Sequence, residues 1–203
     1  ALILLMYIGK NHSKETSTDR ANQRQPKWQL NTSNKGKLKE FQKLFTKHNL
    51  DLLSTQIDLD EIDADPISVV AHKASQLEES VLIEDTSLEI EDASVGINVR
   101  WLLEHLNELT GRKAVWTVLL AYRQGDEVLI FKGEVKGTIV PARGDQGFGF
   151  DPVFLPENSS QTLAEGKPDE VNARALAVEA LVKGDLFKKV KAIHTWGGPW
   201  QLN

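Results

Sequence analysis

Residues 28–48 of the chain read WQLNTSNKGKLKEFQKLFTKH, and they give the first indication of the fold. The residues Trp28–Thr32 are typical of a short strand. The residues Lys35–His48 then predict a helix, because their apolar side chains recur on one helical face: Leu38, Phe41, Leu44 and Phe45. A strand followed directly by a helix predicts that the folded domain opens with a βα unit.

Strand-like and helix-like segments continue to alternate as far as Gly184. Further strands are expected at residues 50–57, 81–83, 114–123 and 128–140, and further helices at residues 67–79, 99–109 and 172–182. The turn Gln124-Gly125-Asp126 lies between two segments rich in strand-forming residues and predicts a hairpin, while Gly184 is expected to close the last helix. This order of segments predicts an α/β fold with a mixed sheet.

The 203 residues are 40% apolar and 26% charged, with no cysteine and a formal net charge of -5. A chain of this length buries about 70% of its unfolded surface, so it needs no disulfide or metal to hold a core. The lack of cysteine excludes a disulfide scaffold, a cysteine-ligated metal and a thiol nucleophile. The negative charge argues against binding to a nucleic acid polymer or an anionic membrane, and it favours a small-molecule partner.

The first 26 residues differ in composition from the rest of the chain. The apolar run Ala1–Ile8 is far shorter than the roughly 20 residues that span a bilayer. A secretory signal is an alternative, but no Lys or Arg precedes the run and no small-residue cleavage site follows it. Residues 9–26 are polar, so we expect a flexible N-terminal arm at residues 1–26, a domain at residues 27–187 and a C-terminal extension at residues 188–203. An added strand and a dimer contact are both open alternatives for the extension.

Three lysines crowd the predicted start of the first helix, within the stretch Thr32–Glu40. A helix N-terminus carries partial positive charge and free N–H groups, so lysine is unfavourable there unless an anion is expected. This pattern predicts phosphate binding, although the spacing of a Walker A loop is absent. The alternative is that Ser33 or Asn34 simply caps the helix and that the lysines are solvated.

Two carboxylates, Glu84 and Asp85, come directly after the apolar run Val81–Ile83. Ligands of α/β sheets bind beside the carboxyl ends of strands, and we expect the pair to lie at such an end. Carboxylates without histidine or cysteine partners suit a hard ion, so the pair predicts a Mg²⁺ site. The alternative is a structural role in an acidic, solvated surface.

The stretch RGDQGFGFDP, residues 143–152, combines several glycines with two aromatic residues. Glycine lets a ligand approach the backbone closely, and flat rings such as those of Phe148 and Phe150 can stack on a nucleobase. A Gly/Phe loop alone is a weak signal, because both rings can equally belong to the core.

Taken together and in order, these stretches resemble the inosine triphosphate pyrophosphatase family over residues 28–181. The family pattern Thr-Ser-Asn-x-x-Lys-x-x-Glu matches Thr32–Glu40, and the pattern Val-Glu-Asp-Thr is similar to Ile83–Thr86. Four further family patterns are similar to residues 95–101, 137–144, 148–154 and 161–165. The resemblance implies hydrolysis of non-canonical purine nucleoside triphosphates, such as those of inosine, xanthosine and deoxyinosine, to the monophosphate and pyrophosphate.

The resemblance also implies roles for individual residues. The phosphate chain would be bound by residues at the start of the first helix and by a lysine on the second: Thr32, Ser33, Asn34, Lys37 and Lys73. Mg²⁺ would be bound by Glu61, Glu84 and Asp85, with Asp85 also acting as the general base that deprotonates the attacking water. The nucleobase or its sugar would be contacted by Phe148, Gly149, Phe150 and Asp151.

The architecture that the resemblance implies is a long twisted mixed β-sheet flanked by helices, with two lobes around a central cleft. Residues 27–187 would form the nucleoside triphosphate pyrophosphatase domain. Family members are usually dimeric, so we expect a homodimer, and we expect a cytoplasmic location.

One family pattern is missing from the last predicted helix. Where the family has Lys-Asn-x-x-Ser-His-Arg, this chain has Val171-Asn172-Ala173-Arg174-Ala175-Leu176-Ala177. The missing residues contact phosphate and base in the family, so we expect relaxed base selectivity unless Lys167 or Arg174 substitutes for them. The alternatives are a family derivative that binds a nucleotide or a protein and turns over poorly, and a pyrimidine-preferring relative of the septum-formation inhibitor proteins.

Overall fold

The strand and helix predicted at residues 28–48 are present as β1 (Trp28–Asn31) and α1 (Lys35–Lys47) in this computed structural model. The helix begins after Asn34, whose side chain accepts a hydrogen bond from the N–H of Lys37 at 3.0 Å. Its buried residues belong to the predicted apolar face: Phe41, Leu44 and Phe45. The prediction of an opening βα unit is therefore confirmed.

The structure describes residues 28–93 and 98–202. The predicted arm at residues 1–26 lies outside the described residues, as do Val95, Gly96 and Ile97 of the family-like segment at residues 95–101. The division into an arm, a domain and an extension stays a prediction.

The other strands within the described residues are β2 (Leu52–Thr55), β3 (Val81–Ile90), β4 (Lys113–Gln124), β5 (Glu127–Ile139), β6 (Phe154–Pro156) and β7 (Lys188–Lys191). They form one mixed sheet in the order β2-β1-β3-β4-β5-β6, and β7 also pairs with β5. Strand β1 runs parallel to β2 and β3, whereas the pairs β3–β4 and β4–β5 are antiparallel. The predicted hairpin is thus formed by β4 and β5, and β7 adds a strand to the sheet from the predicted extension.

The other helices are α2 (Pro66–Ser75), α3 (Val99–Glu104), α4 (Leu106–Leu109) and α5 (Ala173–Lys183). Helices α1 and α5 pack in one apolar cluster around Trp116, and α2 packs in a second cluster with Ile83. The prediction of an α/β fold with a mixed sheet flanked by helices is therefore confirmed. The single helix predicted at residues 99–109 is wrong, because His105 leaves helical geometry, with φ -110° and ψ 16°, and separates α3 from α4. No helix of the described residues is both long and apolar enough to cross a membrane.

Strand β3, which carries Glu84 and Asp85, is longer than predicted and continues to Ile90. The expectation that the two acids follow the end of a strand is therefore wrong. Acidic residues are depleted in strands, and for this reason the strand was predicted to end before Glu84. Antiparallel pairing with β4 overrides that preference. Parallel pairing between β1 and β3 ends at Leu82, so the acids still lie where the parallel part of the sheet ends.

Helix α5 lies directly against β5 at Gly133, and this contact fixes the position of Arg174. A Cβ atom on Gly133 would lie 1.9 Å from the carbonyl oxygen of Ala173, so no larger residue fits there. The helix begins after Asn172, whose side-chain oxygen accepts a hydrogen bond from the N–H of Arg174 at 2.9 Å. It ends at Gly184 with φ +69°, as predicted. Arg174 is therefore held in the first turn of a firmly packed helix.

Candidate active site

The start of α1 brings the first group of predicted phosphate-binding residues into one turn. The Oγ1 atom of Thr32 accepts a hydrogen bond from the N–H of Asn34 at 3.1 Å, and Ser33 is exposed beside them. Asn34 is the helix cap, as the simpler interpretation of this stretch expected. Lys37 extends from the first turn to β3, where its Nζ atom lies 2.9 Å from Oε2 of Glu84. The lysine at this positive helix end is therefore paired with a carboxylate.

Glu84 and Asp85 lie on opposite faces of β3, because successive side chains of a strand point to opposite sides. Glu84 faces α1, and its side chain is 3% exposed. It also accepts a hydrogen bond from the hydroxyl group of Thr86. Asp85 shares its face with Ile83, which packs with α2 in the second apolar cluster. The two carboxyl groups therefore leave the strand on different sides.

Asp85 lies in a site where negative charge is incompletely compensated. Burial raises the pKa of Asp85 to about 6, and the neighbouring charge of Glu84 adds to this effect. The positive charges of Lys73 and Lys37 oppose the rise in pKa, whereas Glu61 reinforces it. A carboxyl group in such a site has the properties of a general base or of a cation ligand.

Glu61 lies in the segment between β2 and α2 and forms an ion pair with Lys73 of α2. The side chains are partly exposed, Glu61 at 37% and Lys73 at 20%. Both charges act on the pKa of Asp85, so this pair belongs to the same site as the acids of β3.

A polar cavity of about 570 Å³ connects most of these residues. Its lining includes seven predicted site residues: Thr32, Ser33, Asn34, Lys37, Glu61, Lys73 and Glu84. Of the predicted phosphate and metal residues, all of which the structure describes, only Asp85 lies outside this lining. The structure thus brings the other predicted residues together, and Asp85 lies on the opposite face of β3 from Glu84.

A second cavity of about 340 Å³ lies beside the first. Its walls include the loop Phe148–Asp151, Leu88 of β3 and Arg174 of α5. Asn34 and Lys37 line both cavities, so the cavities meet at the start of α1. Together they form a cleft between the β1–α1 unit and the loop that follows β5.

The two phenylalanines of this loop have different surroundings. Phe150 is 8% exposed, and its ring centre lies 5.7 Å from that of Trp116, so its ring belongs to the core as well as to the cavity wall. The ring of Phe148 instead faces two cations, with its centre 4.9 Å from Cζ of Arg174 and 5.3 Å from Nζ of Lys167. Phe148 is therefore the ring better placed to face a ligand.

Four charged side chains form a network next to Phe148, with exposed fractions between 3% and 16%: Glu40, Asp151, Lys167 and Arg174. Oε2 of Glu40 lies 3.3 Å from Nη1 of Arg174, and Oε1 accepts a hydrogen bond from Nδ2 of Asn172 at 2.9 Å. Nζ of Lys167 lies 2.7 Å from Oδ2 of Asp151 and 3.5 Å from Oε1 of Glu40. Sequence reasoning gave Glu40 no role, although its place in the family-like pattern three residues after Lys37 was a signal.

Asp151 also shapes the loop that carries it. Its Oδ2 atom accepts a hydrogen bond from the N–H of Phe148 at 2.9 Å. Gly147 has φ +76°, and a Cβ atom there would lie 2.1 Å from Oδ2 of Asp151, so only glycine fits. The predicted contact of Asp151 with substrate stays a prediction, since this carboxylate is already engaged by Lys167 and the loop.

The residues that replace the family's Ser-His-Arg do not line the second cavity. Ala175 and Leu176 line a different hollow beside α1, and Ala177 is buried against Gly133 of β5. Arg174 lines the cavity instead, and its Nη2 atom donates a hydrogen bond to Oγ1 of Thr86 at 3.3 Å. Within the described part of the chain, its buried Nε atom has no hydrogen-bond partner. Of the two predicted substitutes, Arg174 faces the cavity and Lys167 holds Asp151.

The sequence that forms this fold matches a known family. The Ham1 family model matches residues 28–184, which is most of the chain. The chain belongs to the Ham1 family.

Individual relatives agree with the resemblance seen in the sequence. The chain is 33% identical to the inosine triphosphate pyrophosphatase of Yarrowia lipolytica over 178 aligned residues, which cover 79% of this chain and 95% of that protein. It is 33% identical to the dITP/XTP pyrophosphatase of Thermococcus kodakarensis over 159 residues, or 70% of this chain and 85% of that one. A crystal structure of the nucleoside-triphosphatase / dITP/XTP pyrophosphatase from Mycobacterium abscessus matches with a TM-score of 0.46 and 19% identity, covering 77% of this chain and 93% of that chain. The predicted resemblance to inosine triphosphate pyrophosphatases is confirmed by the family match and the curated relatives.

Proposed function

We propose that this chain hydrolyses the triphosphates of inosine, xanthosine and deoxyinosine to the monophosphate and pyrophosphate. The observation that carries this proposal is the meeting of two cavities at Lys37. One cavity is polar and includes a helix start, which suits a phosphate chain, and the other has an aromatic wall, which suits a nucleobase. The names of the Yarrowia and Thermococcus relatives support the same substrates.

The phosphate chain is proposed to bind beside Thr32, Ser33 and Asn34 at the start of α1, because the first N–H groups of a helix have no carbonyl partner within it. Lys37 and Lys73 supply the positive charge of this cavity. Each lysine is already paired with a carboxylate, so a triphosphate would share the two lysines with Glu84 and Glu61. This sharing holds the phosphates next to the acids that the reaction needs.

The carboxylates of this region fit Mg²⁺ by their chemistry. Among residues 28–93 and 98–202, no three His, Cys, Asp or Glu side chains lie close enough together to form a complete cage. Mg²⁺ does not require one, since it is usually held by one or two carboxylates plus water and substrate phosphates. Glu84 and Asp85 are the proposed ligands. Glu61, which the resemblance implied as a third, does not form a close group with both acids and is proposed to act through its ion pair with Lys73. When bound, Mg²⁺ would offset the phosphate charge and polarise the α-phosphoryl group.

Asp85 is proposed to receive the proton of the attacking water. The water oxygen forms a bond to the α-phosphorus, and the bond from that phosphorus to the bridging oxygen of pyrophosphate breaks. The position of Asp85, buried beside Glu84, makes it a stronger base than a carboxylate on the surface. The products are a nucleoside monophosphate and pyrophosphate.

We further propose that base selectivity is relaxed and that Arg174 provides the selectivity that remains. The second cavity, where the base is proposed to bind, receives no polar side chain from Ala175, Leu176 or Ala177. Nη1 and Nη2 of Arg174 already form hydrogen bonds to Glu40 and Thr86. A wall with few free polar groups discriminates only about 10–200-fold between ligands. The kcat/KM ratio of inosine over adenosine triphosphate is therefore expected to stay below about 10³.

Pyrophosphate release from the triphosphates of inosine, xanthosine, adenosine, guanosine and uridine, measured with Mg²⁺, tests this function. Turnover of the inosine and xanthosine nucleotides is the expected result. No turnover with any base would indicate a nucleotide- or protein-binding derivative, and a preference for uridine would indicate a pyrimidine enzyme. An inosine-over-adenosine ratio above about 10³ would contradict relaxed selectivity.

Arg174→Ala tests the residual selectivity. The expected result is a further fall in the ratio of inosine to adenosine triphosphate turnover. Arg100→Ala is the matched control, because the side chain of Arg100 is 90% exposed on α3 and far less engaged.

A homodimer and a cytoplasmic location complete the proposal. The dimer rests on the family resemblance, and the compartment rests on the resemblance and on the lack of cysteine in the sequence. Light scattering of the purified protein tests the dimer.

A further inference from the structure

The C-terminal tail, residues 192–202, follows β7 and lies beyond the residues that the family model matches. The tail passes along α2, where the N–H of Ile193 donates a hydrogen bond to Oγ of Ser75 at 2.8 Å. It then reaches the segment between β2 and α2, which carries Glu61. The tail therefore contacts the two elements that carry Glu61 and Lys73. Both residues line the polar cavity, which we call the phosphate side of the site.

Three hydrogen bonds join the end of the tail to the Glu61 segment. The N–H of Gln201 donates to the carbonyl oxygen of Glu61 at 2.9 Å, and the N–H of Asp63 donates to the carbonyl oxygen of Pro199 at 3.0 Å. The side-chain amide of Gln201 donates to the carbonyl oxygen of Ile62 at 3.2 Å. Ile62 is fully buried and forms an antiparallel bridge with Trp200. The segment is thus held as a short strand is held in a sheet.

The same tail residues contact α2 next to Lys73. The ring centre of Trp200 lies 5.4 Å from that of His72 in an edge-on arrangement, and His72 is buried. Lys73 is the next residue along the helix and forms the ion pair with Glu61. The tail therefore contacts Glu61 directly, at the backbone carbonyl group of Glu61. It contacts Lys73 indirectly, through His72.

We infer that the tail is a positioning element for the phosphate side of the site, acting through Gln201 and Trp200 on the Glu61–Lys73 pair. This inference rests on the proposed function, since it assumes that Glu61 and Lys73 serve the phosphate chain. Loss of the tail contacts frees the Glu61 segment. Glu61 and Lys73 line the polar cavity, whereas neither of them lines the second cavity, where the base is proposed to bind. The tail then affects triphosphate and pyrophosphate binding and leaves monophosphate binding unchanged.

The substitution Gln201→Pro tests this, because proline has no N–H and the change also removes the side-chain amide. The KM for inosine triphosphate should rise by up to about tenfold, because the two lost hydrogen bonds hold the Glu61 segment and only part of their loss reaches the phosphates, while the Kd for inosine monophosphate changes less than about twofold. Gln201→Ala keeps the backbone N–H and should give an intermediate rise. Leu202→Ala is the matched control, since the side chain of Leu202 is 99% exposed, and it should leave both values unchanged.

Hydrogen exchange separates docking of the tail from catalysis. In Gln201→Pro the amide of Asp63 should exchange faster, while amides of β3 and β4 keep their protection. Faster exchange at Asp63 with an unchanged KM for inosine triphosphate would overturn the inference. Equal losses for the triphosphate and the monophosphate would overturn it as well, because they would indicate general destabilisation.

The proposed function and the role of the tail can be tested separately. If the unaltered protein turns over no nucleotide, the function is wrong, and calorimetric titration with inorganic pyrophosphate then decides about the tail. Weaker pyrophosphate binding in Gln201→Pro than in Leu202→Ala supports the positioning role. Equal binding in the two variants, or no binding by the unaltered protein, overturns it.

Discussion

Two clusters of charged side chains lie on either side of α1, and they differ in balance and exposure. The phosphate-side cluster has three carboxylates and two lysines: Glu61, Glu84, Asp85, Lys37 and Lys73. The base-side cluster has two carboxylates and two cations: Glu40, Asp151, Lys167 and Arg174. Side chains of the phosphate-side pairs are up to 37% exposed, whereas none in the base-side pairs exceeds 16%.

The base-side cluster is balanced in charge by its own residues, whereas the phosphate-side cluster is not. In the base-side cluster each carboxylate has a cation at 2.7 to 3.5 Å, and Glu40 has an amide partner as well. The phosphate-side cluster has one carboxylate more than it has lysines, and burial together with Glu84 raises the pKa of Asp85 to about 6. An excess of buried negative charge costs free energy unless a cation or a proton compensates it. This difference fits the proposed function, in which the base-side cluster forms a wall of the site and the phosphate-side cluster supplies the chemistry.

The largest expected effect follows from removing the excess charge. Asp85→Asn keeps the shape of the side chain but removes the proposed base, so pyrophosphate release from inosine triphosphate should fall by roughly 10²–10⁴. The assay is steady-state turnover at saturating Mg²⁺, with circular dichroism to show that the fold is intact. Glu89→Gln is the matched control, because Glu89 is an exposed acid on the same strand. Turnover close to that of the unaltered protein would mean that Asp85 is not the base.

The second prediction concerns stability and the balanced cluster. Glu40→Ala leaves Arg174, whose side chain is 3% exposed, without its carboxylate, so the free energy of unfolding should fall by about 3 kcal/mol. Glu61→Ala removes a carboxylate that is 37% exposed, and the loss there should stay below about 1 kcal/mol. Urea denaturation of the two variants measures the difference. Equal losses of unfolding free energy in the two variants would show that the less exposed cluster does not contribute more to stability.

The third prediction is a pH dependence of stability with a definite sign. The folded-state pKa of Asp85 is about 6, above its ordinary value of 3.8, so the folded state holds this proton more tightly than the unfolded state does. The resulting stabilisation is present in full below about pH 4 and is lost as the pH rises through 6. The loss amounts to about 3 kcal/mol, from 1.36 kcal/mol per pKa unit.

Asp85→Asn removes this dependence, so the variant should gain stability relative to the unaltered protein between pH 4 and pH 7.5. Denaturation curves at both pH values, measured with EDTA so that no metal contributes, give this gain. A gain that is the same at both pH values would show that Asp85 does not titrate in this range.

Local patterns predicted the elements that depend on neighbouring residues. The βα unit at the start, the hairpin around Gly125 and the cap at Gly184 were all predictable, because periodicity and turn chemistry act within a few residues. The continuation of β3 was not predictable, since pairing with β4 outweighs the preference of Glu84 and Asp85.

The candidate site was predictable only in part. The start of α1 and the acidic residues of the phosphate side carried signals in their own sequence. The contact between Glu40 and Arg174 spans 134 positions of the chain, and no short pattern contains both residues. The tail contacts of Glu61 are equally distant in sequence, and only the folded sheet brings Gln201 to that segment.

The smallest expected effect on function belongs to Lys37, which lines both cavities and so tests where the two sides of the site divide. Lys37→Ala should weaken binding of inosine triphosphate about tenfold, the loss expected for one hydrogen bond between charged groups, and should change monophosphate binding far less. It also removes the ion-pair partner of the buried Glu84 carboxylate, so some stability will be lost as well. Lys35→Ala is the control, because Lys35 is exposed at the same helix end and interacts with the same helix dipole. Calorimetric titration measures the affinity of both variants for both nucleotides. Equal losses of affinity for the two nucleotides in Lys37→Ala would mean that this lysine does not bind the phosphate chain. Equal losses of triphosphate affinity in the two variants would assign the effect to the helix end as a whole.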